Sequence, residues 1–244
     1  NLDHQVRDNF DIALNTYYAK SHQDEMPGGA FFSITFMGPQ IDLAKRNPND
    51  MLCPKAEEKG GCLFINPDPR ANEDNPLYLI ENQDLNDDRQ RFMAAVDARW
   101  SPASWFDLEA NYSVDRYDFH RLNITPLNYA NSQSGPQQPI VRDGGHLRRD
   151  NNVSNDINAS LTASFNRAFG DLTMRTKMRY LLEDQHQENY RIDGDDFTVG
   201  NVPSFDNIAG GQSATSSITN VVAQGYFFIT ALDYQGKYVG DFLV

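Results

Sequence analysis

The segment 92–114 constrains this chain more than any other, because it reads as a hairpin whose two faces have opposite chemistry. On its first arm Phe92, Ala94, Val96, Ala98 and Trp100 share one side, while Arg91, Met93, Ala95, Asp97 and Arg99 share the other. Ser101-Pro102-Ala103-Ser104 turns the chain. On the second arm Phe106, Leu108, Ala110, Tyr112 and Val114 alternate with Asp107, Glu109, Asn111, Ser113 and Asp115. Successive side chains of a strand leave on opposite faces, so the alternation predicts two adjacent amphipathic strands. A soluble sandwich turns the apolar side of such strands to its core. A transmembrane barrel turns it to lipid and keeps the polar side wet.

The same pattern recurs along the chain. Phe10, Ile12, Leu14, Thr16 and Tyr18 oppose Asp11, Ala13, Asn15 and Tyr17. Val153, Ile157, Ala159, Leu161, Ala163 and Phe165 oppose Ser154, Asp156, Asn158, Ser160, Thr162 and Ser164. Leu172, Met174, Thr176, Met178, Tyr180 and Leu182 oppose Thr173, Arg175, Lys177 and Arg179; a further strand runs over 221–234, and another begins at Lys237. The connections alternate in length. Long polar segments at 20–87, 116–150 and 184–216 are interleaved with tight turns at 101–104, 167–171 and 235–236. Compact soluble domains seldom carry several long loops without regular structure. Outer-membrane barrels do, with short turns on the periplasmic side and long loops outside. The expected fold class is all-β: an antiparallel transmembrane barrel segment of about seven strands, with long extracellular loops and short periplasmic turns.

Composition narrows the function classes. Mean hydropathy is -0.62, and no apolar run approaches the ~20 residues of a membrane helix, so a helical membrane protein is excluded. A barrel is not, because half of each strand is polar. The formal net charge of -13 argues against a nucleic-acid partner, since phosphate contacts need basic patches. Solvated loops account for the acidity. No signal peptide is visible. The ends, Asn1-Leu2-Asp3 and Asp241-Phe242-Leu243-Val244, read as cuts through strands. Unclosed strands leave edges that lipid does not tolerate, so 1–244 is expected to be part of one larger barrel domain.

Cys53 and Cys62 lie in the first long segment beside Pro54 and Gly60-Gly61. Their closeness in a polar loop points to a disulfide and an oxidising compartment. A zinc site is the alternative, but His22 and His120 are distant in sequence, and no metal or other cofactor is expected. Asp193-Gly194-Asp195-Asp196 offers oxygens to calcium, yet lacks the spaced ligands and closing Glu of an EF-hand loop and reads as a solvated acidic turn. Sequons at Asn123, Asn152 and Asn158 are frequent chance matches. There is no G-x-S-x-G elbow, P-loop, H-E-x-x-H or Rossmann glycine pattern, so the chain is expected not to be an enzyme. His120 and His186 fall outside the predicted strands, which counts against a Ser–His hydrolase built on the wall.

Short motifs add a family resemblance. Asn75-Pro76-Leu77-Tyr78 leads into Asp88-Arg89-Gln90-Arg91-Phe92, and Trp100-Ser101-Pro102-Ala103-Ser104-Trp105-Phe106 is followed by Tyr112-Ser113-Val114-Asp115. This resembles the middle of the barrel in SusC/RagA-type TonB-dependent outer-membrane transporters. Gly225-Tyr226-Phe227-Phe228, Leu232-Asp233-Tyr234 and Gly236-Lys237-Tyr238 are similar to the family's segment before its R-x-D-G sequence. Asn1-Leu2-Asp3 with Phe10 to Tyr18 is similar to an earlier hairpin. One departure is Ile229, near which the family commonly carries Arg. The resemblance implies a plugged barrel of about 22 strands in the bacterial cell outer membrane. It further implies TonB–ExbB–ExbD-driven uptake of oligosaccharides, peptides or similar polar solutes under a SusD-like surface lipoprotein. The plug and TonB box are not in this sequence.

The candidate residues follow from the two faces. Arg91, Asp97, Arg99, Asp107, Glu109, Asn111 and Asp115 form one mixed-charge lumen stripe, and Arg175, Lys177 and Arg179 a basic one. They either meet a polar solute or the plug, or pair with one another across strands. Trp100, Trp105 and Phe106 read as an aromatic girdle at the lipid interface. Tyr117, Phe119, His120, Tyr190 and Arg191 mix aromatic faces with hydrogen-bonding groups in the long loops, which suits sugars or peptides and equally suits loop packing or a lid protein. Other classes stay open: a passive porin or adhesin-type barrel, distinguished by the absence of a plug, and a soluble secreted β-sandwich binding module.

Overall fold

The computed structural model describes residues 2–68, 73–131 and 141–244. Its strands and helices follow in chain order. β1 (Leu2–Arg7) and β2 (Phe10–Asp24) lead to α1 (Ala30–Phe36), β3 (Arg46–Asn47), α2 (Ala56–Lys59), β4 (Cys62–Leu63) and α3 (Pro76–Asn82). Then come β5 (Asp84–Ala103), β6 (Phe106–Thr125), β7 (Tyr129–Asn131), β8 (Val141–Asp143), β9 (His146–Phe169), β10 (Leu172–Asp195), β11 (Gln212–Tyr234) and β12 (Tyr238–Leu243). A single antiparallel sheet of eight strands, in the order β1-β2-β5-β6-β9-β10-β11-β12, makes the body; it is not closed on itself. No helix is long and apolar enough to cross a membrane, which says nothing about crossing by strands.

The register keeps the two chemistries apart through the turn-side half of β2, β5, β6, β9 and β10. Leu14 faces Val96, Val96 faces Tyr112, Tyr112 faces Ala159, Ala159 faces Leu182, and Leu182 faces Gln224. One residue further along, Ala13, Asp97, Asn111, Ser160, Leu181 and Gly225 form a row on the other face. A slip of one residue would exchange the faces of a strand, so the hydrophobic pattern pins the register. Among the described residues no second sheet covers the apolar side. Phe92, Val96, Leu161 and Met178 are 43%, 38%, 45% and 46% exposed, where a sandwich would bury them. Thr176 and Thr230 are polar residues on this face that satisfy each other, with their Oγ1 atoms 2.7 Å apart.

Several sequence expectations need correction. The sheet holds one strand more than the seven or so expected: Leu2–Arg7, whose opening residues read as a cut strand, pairs with β2. The loops at 20–87, 116–150 and 184–216 contract to 25–83, 126–145 and 196–211. Strands grow into them because ladder hydrogen bonds are made by the backbone and need no apolar residue. The first tight turn moves to Ser104 and Trp105; Pro102 lies at a register shift between Trp100 and Ala103, where its missing N–H breaks no ladder. Between Phe169 and Leu172 the turn is Gly170-Asp171, with Gly170 at φ 62°, the conformation that favours glycine in a two-residue hairpin.

The first long loop is a folded module. Asn75 accepts from the Leu77 amide at 3.0 Å and Pro76 follows as the first residue of α3, so the Asn-Pro pair is a helix start. Asn75 Nδ2 also donates to the carbonyls of Leu43 and Phe64. Tyr78 and Leu79 join Ala30, Leu63, Ile65, Tyr129 and Ala130 in one small core. The Tyr78 hydroxyl accepts from the Ala130 amide at 2.8 Å, which ties β7 to the module. Cys53 and Cys62 are disulfide-bonded, with Cα atoms 5.7 Å apart, and pack with Ala56. Gly61, at φ 112°, lies so close to the Asn47 carbonyl that any side chain there would collide with it.

Candidate functional site

At the loop end of the sheet the polar face carries a row of alternating charge, one residue from each of four neighbouring strands. Asp87 on β5 lies opposite Arg121 on β6, Arg121 opposite Asp150 on β9, and Asp150 opposite Arg191 on β10. Arg121 donates from Nε and Nη2 to the two Asp87 oxygens at 2.7 and 2.8 Å. Arg89 Nη2 donates to Asp87 at 2.6 Å, Arg191 Nε to Asp150 at 2.7 Å, and Arg148 Nε to Asp150 at 2.8 Å. The Phe119 ring lies between Arg89 and Arg121, 5.3 and 5.4 Å from their guanidinium carbons, which holds both cations in place. The Arg121 hydrogen bond keeps the Asp87 carboxyl below the usual aspartate range against the effect of burial. At Asp150 burial pushes upward, and the hydrogen bonds from Arg148 and Arg191 outweigh it, so that carboxyl too is lowered.

A second row lies beside the first. Phe119, Asn152, Asn189 and Ser217 face one another across β6, β9, β10 and β11. From Arg121 and Phe119 onward the rows floor an open groove of about 450 Å³; Asp87 stands behind Arg121, outside its lining. Asn152 Oδ1 is buried there and accepts no hydrogen bond among the described residues. The groove's polar lining includes Asn189, Thr215 and Ser217 beside the charged residues. Charged groups already held in pairs, amide and hydroxyl groups and one aromatic ring make a surface that suits a neutral or zwitterionic chain of hydrogen-bonding units.

The predicted stripes are on the same face, nearer the short turns. The acidic and basic members of the first stripe satisfy one another: Arg91 Nε donates to Asp115 at 3.0 Å, Arg99 Nη2 to Asp107 at 3.3 Å, and Asn111 to Asp97. Arg99 also lies 3.8 Å from Glu109. On β10, Arg179 reaches Ser160 at 3.4 Å. Arg175 and Lys177 have no carboxylate within ion-pair distance among the described residues. Trp100 and Phe106 are on the apolar face, where Phe106 meets Phe165 at 4.8 Å and Arg167 lies over the Trp105 ring at 5.5 Å.

The five loop candidates prove to be strand residues, which corrects their assignment: Tyr117, Phe119 and His120 are on β6, Tyr190 and Arg191 on β10. Strand parity then divides them. Tyr117, Phe119 and Arg191 share the polar face with the groove. His120 and Tyr190 are on the other face, where His120 Nδ1 hydrogen-bonds Asn151 at 2.9 Å and the Tyr190 hydroxyl donates to Glu188. His186 is also on a strand, bonded to Asn220 rather than to a serine. Asp87, Arg121, Arg148, Asp150, Asn152 and Asn189 were missed by sequence reasoning. Continuing the odd-numbered face of 107–115 as far as Arg121 would have found two of the groove's walls. Among the described residues no group of His, Cys, Asp and Glu could hold a metal ion; Asp193 and Asp195 instead face His146 at 3.6 and 2.8 Å.

No protein-family model and no curated protein matches the chain. Solved structures do. The chain is similar to the RagAB peptide transporter, with a TM-score of 0.68 at 10% identity, over 99% of this chain and 26% of that one. It is similar also to the RagAB peptide importer in its closed-closed state, with a TM-score of 0.66 at 10% identity. For the open-open state the values are 0.62 and 11%. In both the match again covers 99% of this chain and 26% of the neighbour, so this chain spans about a quarter of the length of these neighbours. At such identity the likeness is one of fold.

Proposed function

We propose that this chain forms part of the wall of an outer-membrane barrel that imports peptides or similar polar oligomers, energised through TonB–ExbB–ExbD and working with a SusD-like surface lipoprotein. The observation that carries the reading is the groove on the polar face: the row Arg121–Asp150–Arg191, with Phe119, Asn189 and Ser217 beside it. It lies at the loop end of a sheet whose other face is apolar and uncovered nearer the short turns, so lipid on one side and solute on the other would use both faces of one sheet. A peptide presents amide N–H groups at regular spacing and charged ends, which match Asn189, Ser217 and the charged residues of the row. The fold likeness to a peptide transporter supports the same class of cargo.

The test is made on the full-length protein isolated from outer membranes. It is incubated with a mixed short-peptide pool, and retained peptides are identified by mass spectrometry. A retained peptide, labelled, is then followed into cells with and without functional TonB. Retention together with TonB-dependent uptake is expected. Uptake that persists without TonB would make the barrel a passive porin, and failure to retain any peptide would remove peptides as the cargo.

A further inference from the structure

Three guanidinium groups and a single carboxylate line the groove on the polar face: Arg121, Arg148 and Arg191 against Asp150. Arg121 is engaged by Asp87 behind it, through Nε and Nη2 at 2.7 and 2.8 Å. Arg148 covers both Asp150 oxygens, from Nε at 2.8 Å and from Nη2 at 3.2 Å. Arg191 reaches Asp150 by Nε alone, at 2.7 Å. Its two Nη groups donate to nothing among the described residues, and its side chain is half exposed. Asp193, two residues along the same face, lies 3.6 Å from His146 and 3.9 Å from Arg148. Arg191 is therefore the cation of the groove without a carboxylate of its own, and the Nη edge of its planar fork is open. Thr215 stands directly opposite on β11; it is exposed, and its hydroxyl has no partner among the described residues.

We propose that the Nη edge of Arg191 and the Thr215 hydroxyl form a carboxylate subsite that holds the C-terminal end of a bound peptide; this rests on the peptide reading of the groove. Two parallel N–H groups match the two oxygens of a carboxylate, whereas a carboxamide offers one oxygen and no charge. One row further, Asn189 and Ser217 face each other across β10 and β11. The Asn189 amide donates to Ser217 at 3.4 Å, and its oxygen accepts nothing among the described residues, which leaves it for a peptide N–H. Rows two residues apart on one face are about 6.8 Å apart, the length of two residues of an extended peptide. An ammonium end finds no such place, because the lining's single carboxylate already accepts three hydrogen bonds from Arg148 and Arg191. The groove thereby gives a bound chain a direction.

Equilibrium dialysis of the full-length protein tests this with tetra-alanine, its N-acetyl form, its C-terminal amide, and a tetrapeptide amide that carries one glutamate. The free acid and the N-acetyl form are expected to bind alike, roughly tenfold more tightly than either amide, as a charged hydrogen-bonded contact does. Arg191→Gln should bring the ratio of acid to amide close to one. Arg191→Lys keeps the charge and loses the fork, and should leave an intermediate ratio. Equal binding of acid and amide by the parent protein, or a ratio untouched by Arg191→Gln, would overturn the subsite and leave peptides as the cargo. Binding of the glutamate-bearing amide as tightly as the acid would overturn the assignment to a chain end. Binding of none of the four probes would remove the subsite and the peptide reading together. If Arg191→Gln fails to fold, the comparison of probes on the parent protein and Thr215→Val, which should lower the ratio by roughly threefold, still decide it.

Discussion

Arg121 grips Asp87 by both carboxylate oxygens, at 2.7 and 2.8 Å, and the Asp87 side chain has no exposed surface. The two residues are 34 apart in sequence and directly opposite in the ladder between β5 and β6. This pair begins the charge row that floors the groove, so its integrity sets the shape of the candidate binding face.

Arg121→Ala leaves a buried carboxylate to Arg89 alone. A loss of about 1–3 kcal/mol is expected, at the low end of what breaking a buried pair costs because one partner remains. The thermal unfolding midpoint of the purified protein should fall accordingly. An unchanged midpoint would mean that the pair adds nothing to the fold.

The pH response has two limbs. Asp87 and Asp150 have lowered carboxyl pKa values, the first through its hydrogen bond to Arg121, the second through Arg148 and Arg191 against burial. Their contribution is full above the ordinary aspartate pKa of about 3.9 and is lost as pH falls through the lower folded values. The carboxylate contribution to the denaturant midpoint should therefore hold between neutral pH and about 5 and drop below about 4, with a shallower drop in Asp150→Asn. His22 behaves in the opposite sense. Hydrogen bonding to Asp88, then to Asp24, raises its pKa, so its contribution is present below about 6.5 and fades as pH rises through the folded value. His22→Gln should alter only that upper limb.

Residues on opposite faces give a direct test of the groove. Arg191→Ala should weaken retention of a bound peptide roughly tenfold, since it removes a charged hydrogen-bonding group. His120→Ala, next to Arg121 but on the other face and outside the groove's lining, should leave retention unchanged. Equal loss in both variants would mean that solute binds elsewhere and the effect is one of stability.

The medium on the apolar face is tested by charge. Leu161→Arg is expected to impair folding into lipid vesicles by about 2–4 kcal/mol, as a cation facing lipid near the bilayer midplane does. Thr162→Arg, on the polar face, should fold as well as the parent. Leu161→Arg with normal insertion would place something other than lipid against that face.

Replacing both cysteines, Cys53→Ser with Cys62→Ser, removes a short covalent ring. About 2–3 kcal/mol of local stability is expected to go with it. Hydrogen exchange should quicken around 46–63 and stay unchanged in β9 and β10. Quickening throughout the sheet would show that the loop module and the wall unfold as one unit.

How much of this was legible beforehand follows from where the information resides. Alternation such as Phe92 to Trp100 against Arg91 to Arg99 is a local property with a period of two, so the strands and their two faces could be read directly. The Asn75-Pro76 pair could be seen as a motif, but the seven-residue helix it caps could not. So short a helix is stabilised by what Tyr78 and Leu79 pack against, not by its own sequence. Towards the loop end both faces become polar and the alternation loses contrast, which hid the continuation of β6 to Thr125 and of β10 to Asp195. His120 and Tyr190 were grouped with Phe119 and Arg191 for the same reason.

The sequence by itself determined a two-faced antiparallel sheet with short turns at one end and long connections at the other, because pleat and turn chemistry act over a few residues. Only the tertiary structure decided that Asp87, Arg121, Asp150 and Arg191 stand in one row and that the apolar face lies uncovered. Cross-strand register is a relation between residues tens of positions apart, set by the alignment of whole strands, and no local pattern in a polar stretch encodes it.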